Sequence, residues 1–141
     1  MFGLILAVFV GSLNALFMTP RTEWFSSLSG VCVDGHLHAA VWLFMYLLQA
    51  MTVGEFIYKR ELNKHIWIPV LSILLGTVWC FLFFRVNVLI PSFILMTAIE
   101  ALCFASLVLL AKTKLCCYMH AVFCAWQTYL WAICLYLVIL N

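Results

Sequence analysis

Charge is scarce in this chain: seven basic and five acidic residues stand among 141. That excludes a water-soluble globule, because 68% of the residues are hydrophobic and the remaining polar surface is too small to coat them. A net charge of +2, dispersed along the chain, argues against a nucleic-acid partner. Proline is limited to three residues, and neither a low-complexity stretch nor an inverted internal repeat is present. The seven cysteines form no CxxC pair, which disfavours thiol–disulfide chemistry. Cys80, Cys103, Cys124 and Cys134 fall inside apolar stretches, where cysteine packs as a small hydrophobe, so free buried thiols are expected.

What the chain has in abundance is apolar length. Five runs cover Phe2 to Met18, Leu37 to Tyr58, Ile66 to Phe84, Val88 to Ala111 and Leu115 to Leu140. At roughly 1.5 Å per residue, each crosses or nearly crosses a hydrocarbon core of ~30 Å as a helix that satisfies its own backbone hydrogen bonds. The predicted architecture is all-α: one integral membrane bundle of five transmembrane helices spanning residues 1–141, with the connection 19–36 as a lid. The first run has no basic segment ahead of it, so it reads as a helix rather than a removable leader. Lys59, Arg60, Lys64, Lys112 and Lys114 share one side of the membrane, against Arg21 and Arg85 on the other. Basic loops stay cytoplasmic, which predicts a cytoplasmic N-terminus and an external C-terminus. That orientation suits a bacterial inner membrane, with a mitochondrial membrane as the alternative.

Small residues recur every four positions at Gly3, Ala7, Gly11 and Ala15, and again at Ser72, Gly76 and Cys80 and at Thr97, Ala101 and Ala105. Such stripes predict close helix–helix or dimer contacts. Pro69 and Pro91 fall in the first turns of their helices, where a missing N–H costs little. Tryptophan is uneven. Trp67 suits the headgroup belt, but Trp42, Trp79, Trp126 and Trp131 lie within the runs, and Tyr46 follows Trp42 by one turn. Deep indoles of this kind either fill a core or wall a cavity for a flat apolar ligand.

Two acids break the apolar runs. Glu55 is one turn from Lys59 and is expected to pair with it at the membrane surface. Glu100 lies near the middle of its run, where an exposed charge costs at least ~2.5 kcal/mol. It is therefore expected to face the interior, protonated or partnered, as a structural hydrogen-bonder, a ligand contact or a proton-coupling group. His36 and His38, near Asp34, offer imidazoles that could hold zinc or haem iron, but alternate residues on a helix do not share a face, and no metal site is predicted. Asn14, Gln49, His120 and Gln127 are expected to tie helices together.

The order of the aromatic residues carries a resemblance. Trp24-Phe25-Ser26-Ser27-Leu28, Val41-Trp42 with Tyr46, Trp79-Cys80-Phe81-Leu82-Phe83-Phe84, Trp126 and the terminal Leu140-Asn141 resemble the tryptophan-rich sensory protein/translocator protein (TspO/MBR) family. The resemblance spans essentially the whole chain. It implies a homodimer-forming five-helix receptor, sensor or carrier that binds porphyrin, haem or sterol-like lipid in a cavity under the first loop. Carried over by motif, Trp24, Trp42, Tyr46, Trp79, Phe83 and Trp126 are the ligand-binding positions, with Glu100 added for its charge. Porphyrin or haem would be a ligand, and no cofactor is expected to be required. The chain departs from the family at 29–36, which has neither proline nor tryptophan, and at Gly76, Val122-Phe123 and Cys134, where the family carries asparagine, proline-tyrosine and asparagine. No set of nucleophile, base and orienter is present, so an enzyme is not predicted. The alternative is a small proton-coupled carrier or channel that uses Glu100.

Overall fold

A computed structural model describes Ile5, Phe9, Val10, Gly11, Asn14 and residues 35–141, with side chains from Val41 onward in the second range. Within residues 35–141 five α-helices follow in order: α1 (Gly35–Tyr58), the single turn α2 (Arg60–Asn63), α3 (Trp67–Phe81), α4 (Leu89–Leu109) and α5 (Lys114–Leu140). There is no strand among the described residues. Among the described residues, four segments are long and apolar enough to cross a membrane: Val41–Tyr58, Trp67–Val86, Leu89–Lys112 and Lys114–Leu140. They correspond to the second to fifth runs of the sequence. The described residues of the first run are helical, and the rest of that run, with the lid 19–36, lies outside the described residues.

The distribution of side chains is the reverse of a soluble protein. Ile94, Val108 and Ile139 are 63%, 75% and 72% exposed, whereas Gln49, His120 and Gln127 are only 2%, 1% and 3% exposed. In a bilayer this arrangement is favourable: apolar side chains meet lipid tails, and polar groups find partners between helices. Hydroxyls that point along a helix are satisfied locally, as Thr77 donates to the Ile73 carbonyl at 3.2 Å and Ser92 to the Val88 carbonyl at 2.5 Å.

The connections are tight, and each has a physical cause. α1 ends where Lys59 becomes extended, and Lys59 closes the expected ion pair with Glu55 at 3.2 Å. α3 runs past its expected end at Phe84 by widening into a π-turn over Leu82–Val86, which closes on Asn87 in the left-handed conformation at φ 60°. Asparagine tolerates that backbone better than other side-chain-bearing residues. A 3-10 turn, Leu110–Lys112, joins α4 to α5, and Thr113 donates to the Leu110 carbonyl at 2.9 Å. Pro69 and Pro91 occupy first turns, as expected.

α4 lies between α3 and α5, and α1 touches both α5 and α3, so four helices close around one core. The core is graded along the membrane normal. Aromatic residues gather where α1 begins and α3 ends, while Phe56, Leu62 and Leu110 pack at the opposite end. The first run joins this core at Gly11, where an added Cβ would lie 3.5 Å from the Tyr46 ring, and at Asn14, whose amide donates to the Tyr46 hydroxyl. Cys80, Cys103, Cys124 and Cys134 are buried, free thiols, as expected.

Candidate ligand cavity

The aromatic positions singled out by motif converge. Trp42 and Tyr46 stand one turn apart on α1 with ring centroids 5.5 Å apart, and Trp42 stacks on Trp79 of α3 at 6.1 Å with 30° between planes. Trp79 stacks in turn on Phe83 at 5.1 Å and 16°, and Trp126 of α5 meets Trp42 edge-on at 6.5 Å. The π-turn contributes directly, because it carries Phe83 and Phe84 and packs their rings edge to face at 5.0 Å. Together these rings form a continuous aromatic wall with two near-parallel indoles at its centre.

A cavity of about 10 Å³ opens against this wall, lined by Trp42, Tyr46, Gln49, Ser72, Ile73, Gly76, Trp79, Met96, Ile99, Phe123 and Gln127. That is about the least space that holds one water molecule. Phe83 and Trp126 stand behind the lining rather than on it. The polar edge is entirely buried. The Gln49 amide donates to the Ser72 hydroxyl at 3.3 Å, Ser72 lies 3.5 Å from the Cys103 sulfur, and the Gln127 amide reaches only the Met96 sulfur, at 3.6 Å. Gly76 lines the cavity, and a Cβ placed there would meet nothing within 4 Å among the described residues.

Gln49, Ser72, Gly76 and Gln127 are absent from the residues that motif matching selects for the ligand. Their signal is helical spacing. Gln49 follows Trp42 at i+7 and Tyr46 at i+3, and Ser72 and Gly76 precede Trp79 at i−7 and i−3, so each set shares one face. Below the cavity, His120 Nε2 lies 3.0 Å from the Cys103 carbonyl and Nδ1 3.1 Å from the Thr52 hydroxyl. The carbonyl can only accept, so Nε2 carries the proton and this histidine ties α5 to α4 and α1.

Glu100 stands apart from these residues. Met96 and Ile99 face the cavity, and a helix turns about 100° per residue, so Glu100 points to the outer seam of α4 and α5. There its Oε1 accepts from Thr128 at 2.5 Å, and Trp131 donates to the neighbouring Thr97 at 3.0 Å. Thr97 and Thr128 are exposed, and Glu100 itself is partly so. It is partnered, as expected, but it is not on the cavity wall. Trp24 and the side chains of His36 and His38 lie outside the described residues.

No protein-family model, curated protein or solved structure matches the chain.

Proposed function

We propose that the chain is a membrane receptor, sensor or carrier for a flat hydrophobic ligand, built as a five-helix bundle of the TspO/MBR type in which the first run supplies the fifth span. The observation that carries this reading is the meeting of Trp42, Tyr46 and Trp79 around one cavity with a buried polar edge, in the middle of a bundle whose outside is apolar. Binding would draw on ring stacking and apolar burial, with the buried polar groups orienting the ligand. Porphyrin, haem and sterol-like lipids fit this chemistry. Typical ligand pockets hold roughly 300–1,000 Å³, so a cavity of about 10 Å³ describes a closed state that must open before such a ligand enters.

Tryptophan fluorescence in detergent micelles tests the proposal. Protoporphyrin should quench it at micromolar concentration, and replacing Trp79 or Trp126 by phenylalanine should remove a disproportionate part of the response. Quenching that never exceeds that of free tryptophan in the same micelles would sink the ligand-binding role.

The proton-coupled carrier is supported by a separate observation at Glu100. Its Oε2 is buried without a partner among the described residues, as suits a carboxyl group that exchanges a proton. Ligand uptake into liposomes that depends on a pH gradient and disappears in Glu100→Gln would favour this second role.

A further inference from the structure

Gln127 is a poorly satisfied polar side chain on the cavity wall. Its Oε1 is buried and has no partner among the described residues, and its Nε2 has only the Met96 sulfur, at 3.6 Å. Sulfur is a weak acceptor. The opposite setting of the amide would be worse, since oxygen would then face sulfur and both N–H groups would lack an acceptor. A carboxamide 3% exposed is thus held in the bundle with both ends under-used. Its neighbour differs. Gln49 is engaged by Ser72 at 3.3 Å, so the two glutamines on this cavity are not equivalent.

The stacked rings constrain what can satisfy Gln127. Trp42 and Trp79 lie 6.1 Å apart with planes 30° from parallel, and both face the same cavity as Gln127. Trp42 also stacks on Tyr46 and Trp79 on Phe83, so a flat ligand enters only as these rings part, and it must then offer the amide an edge that both donates and accepts. The edge that complements a primary carboxamide is an N–H beside a C=O: the N–H donates to Oε1 while the C=O accepts from Nε2. Two parallel hydrogen bonds then replace one weak contact and one unmet acceptor. A single water in about 10 Å³ can serve Oε1 in the closed state, but a ligand that displaces it must return the donor.

Building on the ligand-binding role proposed above, we infer that Gln127 is a specificity-determining residue and that the cavity selects flat aromatic lactams or imides bearing a free N–H next to the carbonyl. Porphyrins and sterols lack that edge and would bind through ring contact alone. Gly76, on the cavity wall, adds no side chain to obstruct a ligand once the cavity opens.

The test compares 2-quinolinone with its N-methyl derivative, read by tryptophan quenching of the full chain in micelles. The two share a ring system and differ at the donor, and the methyl compound is the more lipophilic, so partition into the micelle opposes the expected preference. The wild-type chain should bind the N–H compound about tenfold to a hundredfold more tightly. Gln127→Leu and Gln127→Met should bring the two affinities within about threefold, mainly by weakening the N–H compound, and Met preserves side-chain length if Leu perturbs folding. Equal binding of both compounds by the wild type overturns the inference and leaves the ligand cavity standing, as does a preference that survives in both variants. Quenching by protoporphyrin with neither quinolinone bound has the same meaning. Silence towards all three compounds removes the cavity's ligand role and the inference with it.

Discussion

At the scale of single residues, position on the helix decides chemistry more than residue type does. Ile99 and Glu100 are neighbours in the chain, yet one lines the cavity and the other lies on the α4–α5 seam, bonded to Thr128. Glu100→Gln keeps an acceptor for the Thr128 hydroxyl, and it should leave protoporphyrin affinity within about twofold of wild type. A tenfold loss in a quenching titration would return Glu100 to the ligand. Asn87 makes a different demand. At φ 60° it sits where a β-branched side chain is strained, so Asn87→Val should cost roughly 1–3 kcal/mol while Asn87→Gly stays close to neutral. Thermal unfolding of the two variants in the same detergent gives the difference, and equal midpoints would show that the left-handed turn carries no strain.

At the scale of elements, the helices were legible because each combines an apolar run with a charged or turn-forming boundary. Lys59 and Arg60 end α1, and Lys112 and Lys114 flank the start of α5. The exception is the end of α3. Leu82–Val86 is apolar apart from Arg85, and hydropathy does not distinguish a π-turn from an α-turn, because the difference lies in which carbonyl each N–H chooses. Residue spacing was equally blind to the purpose of the small-residue stripe in α3. Ser72, Gly76 and Cys80 share a face, but among the described residues Gly76 meets a cavity and not a backbone. Gly76→Leu should therefore overfill that space, abolishing protoporphyrin quenching and lowering the thermal midpoint, whereas Gly76→Ala, whose methyl fits there, should keep a midpoint equal to or above that of wild type. Retained binding with unchanged affinity would place the ligand elsewhere.

At the scale of the whole molecule, the closed cavity predicts how a ligand arrives. Trp42, Tyr46 and Trp79 line a cavity of only about 10 Å³, so binding of a porphyrin, as proposed, should wait on rearrangement of these rings. Stopped-flow quenching should give an observed rate that levels off as ligand rises, at the rate of opening; a rate that climbs linearly to the highest soluble concentration would mean that the open state already dominates. The bundle's existence, the approximate boundaries of the second, fourth and fifth runs and the buried, free state of Cys80, Cys103, Cys124 and Cys134 followed from sequence alone. In a chain with so few charges, the period and length of apolar runs leave the backbone no alternative to helices that satisfy their own hydrogen bonds. The convergence of Trp42, Tyr46, Trp79 and Phe83 was anticipated by motif, but the polar edge of Gln49, Ser72 and Gln127, the size of the cavity and the outward turn of Glu100 were decided only by tertiary structure. Those properties depend on the rotation of each helix about its own axis, which side-chain packing between helices sets and a one-dimensional pattern does not contain.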